Sequence, residues 1–75
     1  MHAELLKQAF DQAQRDTGSE KVLRRAQFLS DTIEERTKQP YGERSLRKYF
    51  NGVQQGSDDF ELPDHVVDGL AGYLG

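Results

Sequence analysis

Apolar residues recur along this chain at intervals of three and four positions, which is the period of an amphipathic α-helix. The first such segment predicts a helix from about residue 3 to 16, and its apolar face consists of Leu5, Leu6, Ala9, Phe10 and Ala13. Gly18 follows this segment almost directly. Because glycine adopts left-handed backbone angles at little cost, we expect Gly18 to end the helix.

A second apolar stripe follows at the same spacing and consists of Val22, Leu23, Ala26, Leu29 and Ile33. Ser19 is a suitable N-cap in front of it, because its hydroxyl can accept a hydrogen bond from the first turn. One long helix over residues 19–38 and two short helices with a corner near residues 26–30 both fit this stripe. We favour the corner, because Ser30 is well suited to cap a new helix.

A third helix is predicted beyond the turn at residues 39–42, which contains a proline and therefore ends the preceding helix. Its buried face is expected to consist of Leu46, Tyr49, Phe50 and Val53. We expect the helix to end at Asn51 and Gly52, since this dipeptide is typical of turns.

A polar loop over residues 54–61 separates the third helix from the last one, and Phe60 is expected to hold this loop against the core. The last helix begins at residues 63–64, where proline and aspartate both suit a first turn. Its apolar positions are Leu62, Val66, Val67, Leu70, Ala71 and Leu74. Gly69 and Gly72 each weaken this helix relative to alanine, so we expect them to permit close contact with another helix.

The composition agrees with a helical fold, since eight Leu and five Ala accompany only four Val and one Ile. A chain of 75 residues suffices for one small domain, which buries roughly 60% of the surface of its unfolded chain. We therefore expect an all-α fold, a compact bundle of four to five short helices. Residues 1–75 are interpreted as a single small helical domain and as the N-terminal part of a longer protein.

The residue types that catalysis and metal binding require are missing or wrongly spaced. Cysteine is absent from the sequence, which excludes disulfides, thiol nucleophiles and thiolate zinc sites. His2 and His65 belong to no metal-binding spacing, and His65 is interpreted as an exposed residue of a first turn. The acids at residues 58–64 lack the alternating spacing of a calcium loop. We expect a protein without enzymatic activity, cofactor, bound metal or small-molecule substrate.

Neither the hydropathy nor the overall charge of the chain points to a membrane. No apolar run approaches the roughly 20 residues that span a bilayer, and no signal peptide opens the sequence. Ten Lys and Arg against thirteen Asp and Glu give a net charge of −3, which favours neither anionic lipids nor nucleic acid in general. We expect a cytoplasmic protein.

The charges are separated along the chain. Residues 36–48 carry a local charge of +4, and the bases are Arg36, Lys38, Arg44, Arg47 and Lys48. Residues 53–75 carry a local charge of −5, and the acids are Asp58, Asp59, Glu61, Asp64 and Asp68. One interpretation is ordinary surface charge. The other is a domain with a positive and a negative face, which docks an oppositely charged partner or stacks on copies of itself.

Four short motifs carry a family resemblance. They are Leu29-Ser30-x-x-Ile33, Ser45-Leu46-Arg47-Lys48-Tyr49-Phe50, Leu62-Pro63 and Asp68-x-Leu70-Ala71-x-Tyr73-Leu74-Gly75. Over about residues 26 to 75 the chain is similar to a family of bacterial N-terminal segments that precede varied C-terminal regions. The order of its parts also resembles the lambda-repressor-like helix-turn-helix fold.

The resemblance implies a helix-turn-helix-like core in which the third helix is the recognition helix. The positions offered to a partner are then Arg44, Ser45, Arg47 and Lys48, while Leu46, Tyr49 and Phe50 belong to the core. In DNA-binding members of that fold, such a helix enters the major groove, where Arg or Lys donates to guanine.

Two features of this sequence differ from the DNA-binding pattern. The turn at residues 37–42 is longer than usual by about two residues, and the acids after Val53 repel phosphate. These features favour a recognition module that mediates protein–protein interaction or self-association. The alternative is a helix-turn-helix domain of a transcription regulator that binds double-stranded DNA.

Overall fold

The structure is a computed structural model that describes residues 2–56 and 60–75. Four α-helices make up these parts of the chain, without any strand, as predicted for an all-α bundle. They are α1 (His2–Thr17), α2 (Val22–Thr37), α3 (Glu43–Gln54) and α4 (Asp64–Leu74). None of the described helices is both long and apolar enough to cross a lipid bilayer.

The end of α1 follows the prediction. Gly18 has a φ of 69°, and its N–H donates to the carbonyl of Gln14 at 2.9 Å. The Thr17 hydroxyl donates to the carbonyl of Ala13 at 2.7 Å in the same turn. A left-handed glycine therefore closes the helix and satisfies one of its last carbonyls.

The corner expected near residues 26–30 is wrong, because α2 is continuous from Val22 to Thr37. Ala26, Leu29 and Ile33 are all fully buried, and their spacing of three and four residues places them on one face of a single helix. A corner would turn part of this face away from the core.

The predicted cap of α2 is also wrong. Lys21 occupies the N-cap position and makes no side-chain cap. The Ser19 hydroxyl instead accepts a hydrogen bond from the N–H of Lys21 at 3.2 Å, within the loop before the helix. Ser19 thus orders the entry into α2 from two residues earlier.

Helix α3 is longer than expected, since it runs through Asn51 and Gly52 to Gln54. The extra turn brings Val53 against the core, one turn beyond the buried Phe50. The chain then turns at Gly56, which has a φ of 90°. Burial of Val53 offsets the modest cost of a glycine inside a helix.

The core lies where all four helices meet, and both α3 and α4 pack on the pair formed by α1 and α2. The buried apolar residues are Leu6, Ala9, Phe10, Ala13, Ala26, Leu29, Ile33, Leu46, Phe50, Leu62, Val66 and Leu70. The rings of Phe10 and Phe50 stack at its centre, with centroids 4.0 Å apart. The backbones of α3 and α4 do not approach each other.

The glycines of α4 permit the close helix contact that the sequence predicted. A Cβ on Gly69 would lie 3.3 Å from side-chain carbons of Ile33 and Thr37, and a Cβ on Gly72 would lie 3.2 Å from the Arg36 guanidinium. Ala71, predicted to face the core, is exposed. It is the neighbouring Leu70 that fills the core position on this turn.

Phe60 holds the chain that enters α4, as expected. Its ring stacks on Tyr49 of α3, with the centroids 4.8 Å apart. Leu62 follows with only 4% of its surface exposed, and its N–H donates to Nδ1 of His2 at 2.9 Å. These contacts connect the segment before α4 to both α3 and α1.

Candidate recognition surface on helix α3

Helix α3 presents a cationic side to solvent. Arg44 and Lys48 are exposed and Arg47 is half-buried, and their spacing of three and four residues places them on one side of the helix. The opposite side carries Leu46 and Phe50, which are buried. We call Arg44, Arg47 and Lys48 the basic face of α3.

Arg47 is partly neutralised within its own helix. Its Nε lies 2.8 Å from Oε2 of Glu43, one turn earlier, and the two side chains are 37% and 34% exposed. Among the residues that the structure describes, Arg44 and Lys48 have no carboxylate within 4.0 Å. Within the described part of the chain, the basic face therefore offers two unpaired cations and one that is shared with Glu43.

The structure does not bring the whole basic segment of the sequence together. Arg36 is exposed at the end of α2, and its guanidinium lies beside Gly72 of α4. Lys38 ends α2 with a φ of 62°, where its N–H donates to the carbonyl of Glu34 at 2.8 Å. Arg36 thus belongs to the contact of α2 with α4, and Lys38 to the turn before α3.

Ser45 is half-buried and lies beside Tyr41, in the turn that leads into α3. Burial raises the pKa of the Tyr41 hydroxyl above its ordinary value of 10.0, and the neighbouring Tyr49 raises it further, while the Ser45 hydroxyl lowers it. The Ser30 hydroxyl donates to the carbonyl of Tyr41 at 2.7 Å. This hydrogen bond joins the turn to α2 and positions the start of α3.

Replacing Ser30 by alanine is expected to lower the free energy of unfolding by about 1 kcal/mol, because the Tyr41 carbonyl loses its donor. Urea denaturation followed by far-UV circular dichroism measures this change. The control is Asp31→Ala, at the exposed neighbouring position, for which we expect a change within about 0.5 kcal/mol. Equal midpoints for the two variants would contradict this account of the turn.

The described acids of the segment after Val53 lie on the entry to α4 and on α4 itself. Glu61, Asp64 and Asp68 are exposed, and the helix that carries the latter two does not approach α3. Asp58 and Asp59 lie outside the described residues. Of the five acids predicted to form a negative face, the described residues therefore include these three.

His65 is not the exposed residue that the sequence suggested. It is half-buried, its ring meets Tyr41 edge-on at a centroid distance of 6.1 Å, and its Nε2 is buried without a hydrogen-bond partner in the part of the chain described. Within residues 2–56 and 60–75, no three His, Cys, Asp or Glu side chains are grouped to hold a metal ion.

Arg25 is a charged residue that the charge pattern of the sequence did not single out, and only 7% of its surface is exposed. Arg24 precedes it and is exposed, so residue type does not distinguish the two. Their positions along the helix distinguish them. Arg25 follows Val22 by three residues and precedes Leu29 by four, which places it on the buried stripe of α2. This spacing was the signal available.

Comparison with known proteins gave no match to this chain among protein-family models, curated proteins or solved structures.

Proposed function

We propose that this domain is a recognition module that binds an acidic surface of a partner protein through the basic face of α3. The observation that carries the proposal is the pair Arg44 and Lys48, two exposed cations one turn apart without a carboxylate partner among the described residues. Unpaired charges on one helical side favour an oppositely charged partner and accelerate its association.

The helix that bears these cations is held firmly. Leu46 is fully buried and Phe50 is 4% exposed, while the hydrogen bond from Ser30 to the Tyr41 carbonyl joins the turn before α3 to α2. A rigid helix presents its side chains without a large ordering cost on binding. This support favours a recognition role over incidental surface charge.

The number of free cations favours a protein partner over DNA. Neutralisation of phosphates by Lys and Arg supplies essentially all of the non-specific affinity of a protein for DNA, whereas α3 offers only Arg44, Lys48 and the shared Arg47. The chain as a whole carries a net charge of −3, which opposes approach to a polyanion. A protein surface with a few carboxylates matches this patch better.

DNA binding is the second candidate function, and the types of the polar residues exposed on α3 favour it. Asn51 is exposed and continues the line of Arg44 and Lys48 along the same side of α3, and the exposed Gln55 follows directly after the end of the helix. Arg and Lys donate to guanine in the major groove, and Asn and Gln pair with adenine. The order of α2, turn and α3 resembles a helix-turn-helix unit.

The deciding experiment reverses both free cations in the variant Arg44→Glu/Lys48→Glu. Fluorescence anisotropy is measured with a labelled peptide of alternating Glu and Ala and with a labelled random DNA duplex, each at low and near-physiological salt. We expect the domain to bind the peptide in preference to the duplex. The double reversal should weaken peptide binding by about tenfold or more, since two attractive contacts become repulsive.

The matched control is Arg15→Glu/Lys21→Glu, which changes the net charge equally at two exposed cations outside α3. We expect it to retain most of the peptide affinity. Equal losses in both double variants would reject the basic face as the site. Duplex binding with a steep salt dependence that only the α3 reversal removes would establish the DNA alternative instead.

Self-association is tested in the same preparation by sedimentation at rising concentration. A second copy would offer Asp64 and Asp68 of α4 to the basic face of α3, since both acids are exposed. Association that salt weakens and that Arg44→Glu/Lys48→Glu abolishes would identify the partner as another copy of this domain. A monomer at all concentrations would leave an acidic protein other than this domain as the partner.

A further inference from the structure

A groove of about 390 Å³ lies between α1 and α3, with Arg25 of α2 at its base. Phe50 and Val53 of α3 supply its apolar lining, and Gln14 and Gln54 also line it. Its volume falls in the range of pockets that hold small ligands. Except for Arg25 and Phe50, its lining side chains are exposed or half-buried, so the groove opens to solvent.

Arg25 is a buried cation without an anionic partner among residues 2–56 and 60–75. Only 7% of its surface is exposed. The acceptors of its hydrogen bonds are neutral backbone carbonyls: Nη1 donates to that of Phe10 at 3.4 Å and Nη2 to that of Glu20 at 3.1 Å. Its Nε is buried and has no acceptor within the described residues. Buried arginines are normally paired with a carboxylate.

The contacts that remain hold the guanidinium but do not neutralise it. Its central carbon lies 5.3 Å from the ring centroid of Phe50 and 5.7 Å from that of Phe10. Such cation–π contacts are attractive, but an aromatic ring carries no net charge that would cancel that of the guanidinium. The positive charge therefore persists at the base of the groove.

The mouth of the groove adds one charge of each sign. Lys7 and Asp11 are exposed on neighbouring turns of α1, and both line the groove. Lys7 attracts an entering anion, and Asp11 repels it. Together with Arg25, the groove keeps an excess of one positive charge.

We propose that this groove binds a carboxylate carried on a short apolar stem. The carboxylate pairs with the Arg25 guanidinium at the base, and the stem packs on Phe50 and Val53. Such a group occurs in small organic acids and at the C-terminus of a peptide, and both sources share this chemistry. The proposal does not rest on the basic face of α3, because Arg44 and Lys48 lie on a different side of that helix.

The test is a titration of the ¹⁵N-labelled domain with N-acetyl-leucine, monitored by amide chemical shifts. We expect saturable shifts centred on Phe50 and Val53. N-acetyl-leucine amide, which has the same stem without the charge, is expected to bind at least about tenfold more weakly, since charged hydrogen bonds contribute about 1.5 to 3 kcal/mol. Equal binding of acid and amide would overturn the proposal.

Two single variants at the mouth must act in opposite directions. Lys7→Gln should weaken binding of N-acetyl-leucine about two- to fivefold, and Asp11→Asn should strengthen it by a similar factor, because each removes one exposed charge. Both positions are exposed, so both variants should fold. No change in either variant, or the same change in both, would contradict an anion in this groove.

Arg25→Met tests the base of the groove, because methionine keeps an unbranched stem without the charge. We expect binding of N-acetyl-leucine to be lost in the folded variant. If Arg25→Met does not fold, Lys7→Gln and Asp11→Asn still test whether the groove binds an anion.

Lys48→Gln is the control that separates this site from the α3 surface, and it should leave the affinity for N-acetyl-leucine unchanged. A short peptide ending in leucine with a free carboxylate then distinguishes the sources, since it binds only if the groove accepts a chain terminus.

Discussion

Replacing Phe10 by alanine is expected to lower the free energy of unfolding by about 3 to 5 kcal/mol, the usual cost of removing a buried aromatic ring. Phe10 is fully buried, and its ring stacks on Phe50 with the centroids 4.0 Å apart. The variant leaves a cavity at the point where α1 meets α3. It also removes one of the two rings beneath the Arg25 guanidinium.

This loss is large relative to the whole stability of the domain. A chain of this length has a free energy of unfolding of about 4 to 11 kcal/mol, from the typical 0.05 to 0.15 kcal/mol per residue. We therefore expect Phe10→Ala to unfold at much lower urea concentration, with a measurable unfolded population before denaturant is added.

The matched control is Phe28→Ala. Phe28 is half-buried on α2 and meets Tyr73 edge-on at a centroid distance of 5.6 Å. Because this ring already contacts solvent, we expect less than half the loss found for Phe10. Urea denaturation of both variants measures the difference, and a larger loss at Phe28 would contradict the assignment of the core.

A second large effect is expected where α4 crosses α2. Gly69→Val should lower the free energy of unfolding by about 1 to 3 kcal/mol, because the added atoms overpack a tight contact. Even a single Cβ would lie 3.3 Å from Ile33 Cγ1 and 3.4 Å from Ile33 Cα. Ile33 is fully buried, and a backbone atom cannot move aside cheaply.

Gly72→Ala is the control on the same helix, and it is expected to act in the opposite direction. Its Cβ would meet the Nη1 end of Arg36, at 3.2 Å, and this exposed side chain can move away. The gain in helix propensity then raises the free energy of unfolding by up to about 1 kcal/mol. Thermal or urea denaturation of the two variants should therefore give shifts of opposite sign, and destabilisation by Gly72→Ala would refute this account of the contact.

Much of the fold was predictable from the sequence because apolar spacing is a local property. The stripes of Leu6, Phe10 and Ala13 and of Leu46 and Phe50 predicted buried faces that the structure confirms. Gly18 as the end of α1 was predictable for the same reason, since its backbone preference does not depend on distant residues.

The candidate site was predictable in part. The spacing of Arg44 and Lys48 on α3 placed both on the side opposite the buried Leu46, and both are exposed. The pairing of Arg47 with Glu43 is a contact between successive turns of one helix, and it too was predictable, because Glu43 is the only acid three or four positions from Arg47. The function itself remains a proposal for the experiments above.

The sequence-based predictions were wrong or incomplete at residues whose type fits two different structural roles. The hydroxyl of a serine can cap a helix or form a hydrogen bond with another segment of the chain. The Ser30 hydroxyl donates to the carbonyl of Tyr41, eleven positions later. An arginine on an apolar stripe either faces solvent or enters the core, and Arg25 enters because carbonyls and two phenylalanine rings surround it. The partner of Ser30 is not encoded within one turn of helix, whereas the place of Arg25 on the apolar stripe of α2 was.

The sequence alone determined the helical class, the apolar faces and the exposed cations of α3, because these depend on residue type and on a spacing of three to four positions. The tertiary structure decided that Arg36 lies beside Gly72 of α4 and not with Arg44. It also decided that Arg25 is buried at the base of a groove. Both outcomes depend on which helices pack together, and that packing is set by the whole core at once.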